Sequence, residues 1–381
     1  MNTPRHTQLD VIRLFAFFTL LACHASDPFM AAATYGKSGL EVDPSLAVWA
    51  ARWGSFVRVC VPLFVMLTGA LLLPVKQDMG TFYTRRISRV AWPFLIWSSL
   101  YYLTPWVTGL LGFDKHVIYD LFAWAESDSQ SLSDALGLIV RIPYHFSFLA
   151  CHMWYIYLLI GLYLYMPIFS AWVEKATRKQ KEAVLCIWFA STFLPYFHEY
   201  VAKYAFGTCE WNGFGLFYYF AGFNGYLLLG HYLHTYIRWS GVKSMSVGIP
   251  LLVIGFFVSL TGYQYILSLE NCTPEQVELF WMYCTPNVVL MSLAWFLMLQ
   301  CVKPVEEGTT AKVLANLTTC GFGIYMIHYF FVHLGYVTSN ALMLPAALQI
   351  PVSALTILTV SWPIVAVMKR IMGKGSVCLF G

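Results

Sequence analysis

Apolar stretches of roughly one membrane thickness recur along the chain, near residues 8–26, 46–73, 90–112, 149–172, 183–201, 214–236, 245–265, 280–302, 312–335 and 348–368. About 20 apolar residues at a rise of about 1.5 Å each are what a helix needs to cross the hydrocarbon of a bilayer. The pattern therefore predicts an all-α membrane bundle of ten transmembrane helices, a single domain over 1–381. The stretch 183–201 is the most interrupted, by Pro195, His198 and Glu199. The first run follows Met-Asn-Thr-Pro-Arg-His and has no small-residue cleavage site after it, so it reads as a retained span rather than a signal peptide.

Sorting the polar connections alternately gives an orientation. Arg5, the 74–89 loop (Lys76, Arg85, Arg86, Arg89), the 173–182 loop (Lys175, Arg178, Lys179, Lys181), Arg238, Lys243, Lys303, Lys312, Lys369, Arg370 and Lys374 fall on one side, 16 of the 23 basic residues. Lys37, Arg52, Lys115, Arg141 and Lys203 fall on the other. Basic loops stay in the cytoplasm, so both termini are expected there, as an even number of spans also requires. The long connection 113–148, with Asp114, Asp120, Glu126, Asp128 and Asp134, is expected outside and to form one or two surface helices.

Composition agrees with the bilayer as solvent: 59% of the 381 residues are hydrophobic and 11% charged, against about 25% charged in a soluble domain. Aromatic residues make up 18%, and Trp and Tyr gather at the ends of the apolar runs, as rings at the headgroup level do. Nothing in the charge pattern points to nucleic acid. The ten cysteines show no metal-ligand spacing, and no metal is expected. Cys209 and Cys272 fall in loops placed outside, where a disulfide between them is an open alternative.

Ionisable groups inside spans are expensive and mark function. The first span reads Leu-Asp-Val-Ile-Arg and continues to His24; Asp10 and Arg13 are three apart on one face and can pair. Arg13 and His24 are eleven residues apart, about 16 Å along the same helical face. Arg58 lies in the second span and His328 in the ninth. His152, Trp154 and Tyr155 open the fourth span at the depth of His24 and His328. Arg85, Arg86 and Arg89 cluster at the entry of the third span, where guanidinium forks suit phosphate, although a basic flank alone also explains them.

At these residues the chain resembles the acyltransferase-3 family of membrane O-acyltransferases. The resemblance rests on Leu9-Asp10-Val11-Ile12-Arg13 with His24 eleven positions on, Val61-Pro62-Leu63-Phe64-Val65-Met66-Leu67-Thr68-Gly69, Arg85-Arg86-Ile87-Ser88-Arg89 with Pro93, His152-Met153-Trp154-Tyr155-Ile156, and Gly323-Ile324-Tyr325-Met326-Ile327-His328. Thr68 stands where the family usually has Ser, and Cys320 stands near a position where Ser is frequent. The resemblance implies acyl transfer from cytoplasmic acetyl-CoA to a sugar hydroxyl of an extracytoplasmic or lipid-linked glycan in the inner membrane. It implies His24 as general base with Arg13 and Asp10, the donor held by Arg85, Arg86, Arg89 and Arg58, and the acceptor lined by His328, Tyr325, His152, Trp154 and Tyr155. A histidine, with an ordinary pKa near 6.5, can take a hydroxyl proton around neutral pH. The competing reading is a secondary transporter or flippase, for which intramembrane Arg, His and Asp are equally apt; no internal repeat accompanies them here. A structural scaffold gives no reason for an Arg and a His sharing one buried face. The sequence leaves the acceptor and the oligomeric state open.

Overall fold

The computed structural model describes residues 7–35, 44–112, 131–269, 272–305 and 307–381. The regular elements among the described residues are helices, with one isolated bridge between Cys209 and Asn212 and no strands. Among the described residues seven stretches are long and apolar enough to span a membrane: Gln8–Met30, Ser45–Leu72, Phe148–Lys175, Gly241–Leu267, Glu275–Leu299, Gly308–Ala341 and Ala346–Phe380. Each coincides with one of the runs read from the sequence.

The other three runs take different forms. Residues 90–112 belong to helix α4 (Met79–Leu110), whose 32 residues give it ample length; its Trp, Tyr, Ser and Pro content makes it less apolar than the seven. The run 183–201 is divided into α7 (Arg178–Ser191) and α8 (Leu194–Tyr200). Pro195 has no N–H for the Ser191 carbonyl, so the helix ends there. The run 214–236 holds only α9 (Asn224–Tyr236), 13 residues, or about 20 Å of helix against a hydrocarbon core of about 30 Å. The second run is broken as well, into α2 (Pro44–Val57) and α3 (Cys60–Leu72). Pro62 removes the donor for the Arg58 carbonyl, which puts the break at Arg58.

The remaining helices are α1 (Thr7–Tyr35), α5 (Leu132–Arg141), α6 (Trp154–Lys175), α10 (Gly241–Leu267), α11 (Pro274–Glu278), α12 (Pro286–Leu299), α13 (Gly308–Ile327), α14 (Val332–Ala341), α15 (Ala346–Met372) and α16 (Val377–Phe380). Helix α5 lies within the connection expected to carry surface helices, and Ser131 caps it by accepting from the Asp134 N–H at 3.1 Å. Residues 113–130, with Asp114, Lys115, Asp120, Glu126 and Asp128, lie outside the described residues, as do Arg5 and Lys37.

The chain forms two compact units. The first comprises 1–23, 48–75 and 168–311 and the second 24–47, 76–167 and 312–381.

In the first unit α3 and α9 touch backbone to backbone. A Cβ on Gly69 would stand 1.9 Å from the Leu227 carbonyl oxygen, and one on Gly230 would stand 1.9 Å from that of Met66. Glycine at both crossing points is what lets two membrane helices come this close. Helices α10 and α12 are joined by Asn287, 2% exposed. Its amide donates to Ser259 Oγ and the Phe280 carbonyl, each at 2.7 Å, while its carbonyl accepts from Tyr196 OH at 2.6 Å. A buried amide with its donors and acceptor engaged fixes register without an unpaired polar group.

In the second unit α14 and α15 form an antiparallel pair closed by Ser353, whose hydroxyl donates to the Gly335 carbonyl at 2.9 Å. Helix α4 is anchored by Tyr101, which donates to the Met326 carbonyl at 3.0 Å, and by Trp97, which donates to the Leu379 carbonyl at 2.8 Å.

Candidate active site

Three histidines from distant parts of the sequence meet in the second unit, each at an irregularity in a helix. His24 lies on α1 four residues before Pro28, which has no N–H to give to the His24 carbonyl. His152 lies in a 3₁₀ turn, Phe148–Met153, that leads into α6. His328 opens a second 3₁₀ turn, His328–Phe331, at the end of α13. Ring centroids are 5.1 Å apart for His24 and His328, 5.1 Å for His152 and His328, and 6.3 Å for His24 and His152.

The hydrogen bonds fix which ring nitrogen is basic. His24 Nδ1 is 3.0 Å from Asp27 Oδ2, and a carboxylate only accepts, so Nδ1 carries the proton and Nε2 the lone pair. His328 Nδ1 donates in the same way to the Tyr325 carbonyl at 2.7 Å. His328 is fully buried, and its Nε2 has no hydrogen-bond partner. His152, 1% exposed, has none on either ring nitrogen. Buried polar atoms are nearly always paired, and here three imidazole nitrogens of one cluster have no protein hydrogen-bond partner.

Aromatic rings hold the cluster. Tyr329 stacks on His152 at 5.0 Å and 12°, and its hydroxyl is 3.5 Å from Asp27 Oδ2. Tyr101 meets His152 edge-on at 5.0 Å and stacks on Phe330 at 4.0 Å. The Tyr325 hydroxyl donates to the His152 carbonyl, and Tyr155 lies 6.2 Å from the Tyr325 ring. Trp154 packs edge-on against Tyr155. The structure thus brings His24, His152, His328, Tyr325 and Tyr155 together.

Two residues of the cluster escaped the sequence reading. Asp27 follows His24 by three positions, the spacing that lets a carboxylate reach Nδ1 on a helix; His-Ala-Ser-Asp was the available signal. Tyr329 adjoins His328 in sequence, but only the 3₁₀ turn puts its ring over His152.

The other candidates are placed as follows. Arg13 and Asp10 form the expected pair on α1, in the part of that helix belonging to the first unit. Arg58, also in the first unit, sits 4.5 Å over the Trp281 ring and 3.4 Å from Glu278 Oε2. Trp281 is itself stacked on Tyr263 at 3.8 Å and donates to Ser55 Oγ at 3.0 Å. Arg58 therefore serves an ion pair and a cation–π contact inside that unit. Arg85 and Arg89 are exposed and Arg86 half-buried on α4, in the same unit as the histidines. Arg89 donates to the Gly381 carbonyl at 3.4 Å. Cys209 and Cys272 are both free thiols. Among the described residues no group of three or more His, Cys, Asp or Glu side chains is arranged to hold a metal ion.

A helical membrane protein thus carries a partly exposed, carboxylate-paired histidine beside two buried imidazoles. The acyltransferase-3 family model, described as an acyltransferase domain, matches residues 6–366, and the chain belongs to that family. Family membership supports an acyltransferase. Neither a curated protein nor a solved structure matches the chain.

Proposed function

We propose that the protein moves an acyl group, acetyl in the first instance, from cytoplasmic acetyl-CoA to a hydroxyl of an extracytoplasmic or lipid-linked glycan. The observation that carries this reading is the His24–Asp27 pair, 3.0 Å apart, set beside His152 and His328 with their orphaned ring nitrogens. Transfer to a hydroxyl needs a base, a thioester and donors for the oxyanion that develops. His24 takes the hydroxyl proton on Nε2 as the oxygen attacks the thioester carbonyl. Asp27 holds the ring in the needed tautomer and stabilises the imidazolium. The proton then passes to the coenzyme thiolate as the carbon–sulfur bond breaks, leaving ester and free thiol. His152, whose ring tautomer no hydrogen bond fixes, supplies a donor to the oxyanion.

Helix α4 supports the placement of the donor. Arg86 and Arg89 stand toward one end and Tyr101, against His152, toward the other; twelve residues from Arg89 to Tyr101 span about 18 Å of helix. Phosphates held at the arginines leave the coenzyme's extended arm to reach the histidines. The basic loops support a topology with that end of α4 and both chain termini on the cytoplasmic side, the protein lying in the inner membrane. Tyr155, Trp154 and Tyr325 offer the ring faces on which a sugar stacks.

Mass spectrometry of surface glycans from cells with and without the protein tests the reading. A single acyl mass lost from one sugar on deletion is expected. Unchanged glycans, together with solute uptake into vesicles containing the protein and no coenzyme turnover, would favour the transporter instead.

A further inference from the structure

Helix α7, in the first unit, begins with a charge arrangement that its own backbone disfavours. Arg178, Lys179 and Lys181 stand in its first turn and no acidic residue does, although the unpaired N–H groups of a helix start are already positive. Lys181 is only 4% exposed. An ammonium withdrawn from water needs a negative partner to offset its lost hydration. Lys181 has instead the neutral Tyr236 hydroxyl of α9, at 3.1 Å. Among the described residues no carboxylate stands within ion-pair distance of it. Glu182, its neighbour in sequence, is engaged elsewhere, accepting from Arg178 Nε at 2.8 Å and from Tyr232 OH at 2.6 Å. His231 of α9 brings no negative charge, and its Nδ1 donates to the Leu73 carbonyl at 3.1 Å.

Donors that remain unused converge at this place. The Arg178 guanidinium carbon and the Lys181 ammonium nitrogen lie 5.6 Å and 5.3 Å from the centroid of one ring, that of Tyr236. Lys181 has two ammonium hydrogens beyond the one given to Tyr236, and the Tyr236 hydroxyl hydrogen has no acceptor among the described residues. Arg178 directs Nε and Nη2 to Glu182 and Tyr232 and keeps the hydrogens of Nη1. The contact between Lys181 and Tyr236 is part-buried, so an anion can approach it from outside. A tetrahedral phosphate offers a separate oxygen to each donor, and Lys and Arg are the side chains that hold phosphate. Tyr232, Tyr236 and, three residues on, Trp239 are residue types of the headgroup layer of a bilayer, where the phosphates of phospholipids lie.

From this uncompensated buried cation we infer that Lys181, Arg178 and Tyr236 form a phosphate-binding site at the start of α7, filled by an anionic phospholipid headgroup or by a free phosphate. The inference is independent of the acyl-transfer chemistry and rests on the helical membrane fold.

The test measures the Tm of the full-length protein in detergent against added phosphatidylglycerol, inorganic phosphate, or diacylglycerol, which has acyl chains and no phosphate. It is run in about 0.5 M NaCl, where a Debye length of about 4 Å screens attraction to exposed charges. A ligand that binds the folded state raises Tm with concentration and so yields a dissociation constant. Phosphatidylglycerol is expected to raise Tm beyond diacylglycerol. Lys181→Gln, which keeps a hydrogen-bonding group beside Tyr236 without the charge, should weaken that binding by about tenfold or more, the worth of one charge-assisted hydrogen bond. Lys179→Gln, a charge change at an exposed neighbour, should leave it unaltered. Tyr236→Phe removes one donor and keeps the ammonium; it should weaken binding severalfold, and it serves as the test if Lys181→Gln does not fold. A rise with inorganic phosphate that these variants reduce would assign a soluble phosphate as ligand, and a rise with phosphatidylglycerol alone would assign the lipid. No rise beyond diacylglycerol with either ligand would overturn the inference. So would wild-type binding in folded Lys181→Gln or Tyr236→Phe, or an equal loss in Lys179→Gln.

Discussion

Replacing Asp27 by Asn isolates the role of its charge. The amide oxygen can still accept from His24 Nδ1 at the observed 3.0 Å, so ring position and tautomer survive while the negative charge does not. The residues are partly exposed, with side-chain accessibilities of 16% for His24 and 26% for Asp27, so the full low-dielectric Coulomb energy is not available. The relevant quantity is the difference between a charge-assisted hydrogen bond, about 1.5–3 kcal/mol, and a neutral one, about 0.5–1.5 kcal/mol, at the moment the ring becomes imidazolium, or about 1–1.5 kcal/mol. At about 1.4 kcal/mol per factor of ten, kcat should fall by about 5- to 12-fold. The KM for the thioester should hold steady, because Asp27 touches the base and not the donor. Asp27→Ala also loses the positioning and should fall further. The assay is release of free coenzyme thiol by purified protein in the presence of acceptor, over a range of thioester concentrations. Wild-type kcat in Asp27→Asn, or a change confined to KM, would refute the proposed pairing of carboxylate and base.

Other expected outcomes follow from particular contacts. Arg86→Ala and Arg89→Ala should raise the KM for acetyl-CoA with little change in kcat, measured in the same assay; unaltered KM in both would remove the donor from that end of α4. Gly69→Ala and Gly230→Ala should each destabilise the α3–α9 crossing by more than the usual overpacking cost of about 1–3 kcal/mol, because the new methyl meets a carbonyl oxygen at 1.9 Å and backbone cannot swing aside. Thermal unfolding in detergent checks this, and unchanged Tm in both variants would contradict the close crossing. Asp78 caps α4 by accepting from the Thr81 N–H at 2.9 Å, and the Thr81 hydroxyl and N–H hold its carboxyl below the ordinary value of 3.8. A lowered acid pKa stabilises the folded state above the ordinary value and is lost as pH falls through the lowered one. The Tm advantage of wild type over Asp78→Ala should therefore be full near neutral pH and shrink in strong acid; an advantage independent of pH would show that the charge is idle.

What the sequence reveals and what it hides have physical causes. Seven of the apolar runs correspond to span-length helices because hydrophobic length alone decides whether a helix can cross a bilayer. The breaks at Arg58 and Ser191 were encoded by Pro62 and Pro195, yet a proline inside an apolar run is compatible with a kinked continuous helix as well as with an interruption. The depth of His24, His152 and His328 followed from their places in three runs. Their lateral convergence required the rotation of each helix about its axis, which no periodicity in a nearly all-apolar segment defines. The contacts of Arg58 were likewise hidden, because Glu278 and Trp281, its ion-pair and ring partners, come more than 200 residues later in the chain.

The central claim is that His24 is the base of an acyl transfer from a coenzyme thioester, and one measurement addresses it most directly. Purified wild-type protein and His24→Ala, matched for membrane insertion and Tm, are compared for acetyl-CoA-dependent acylation of a glycan acceptor. General-base catalysis contributes about 10²- to 10⁴-fold, so the variant should lose transfer by that factor while still binding the coenzyme. Wild-type turnover in a correctly inserted His24→Ala protein would contradict the account.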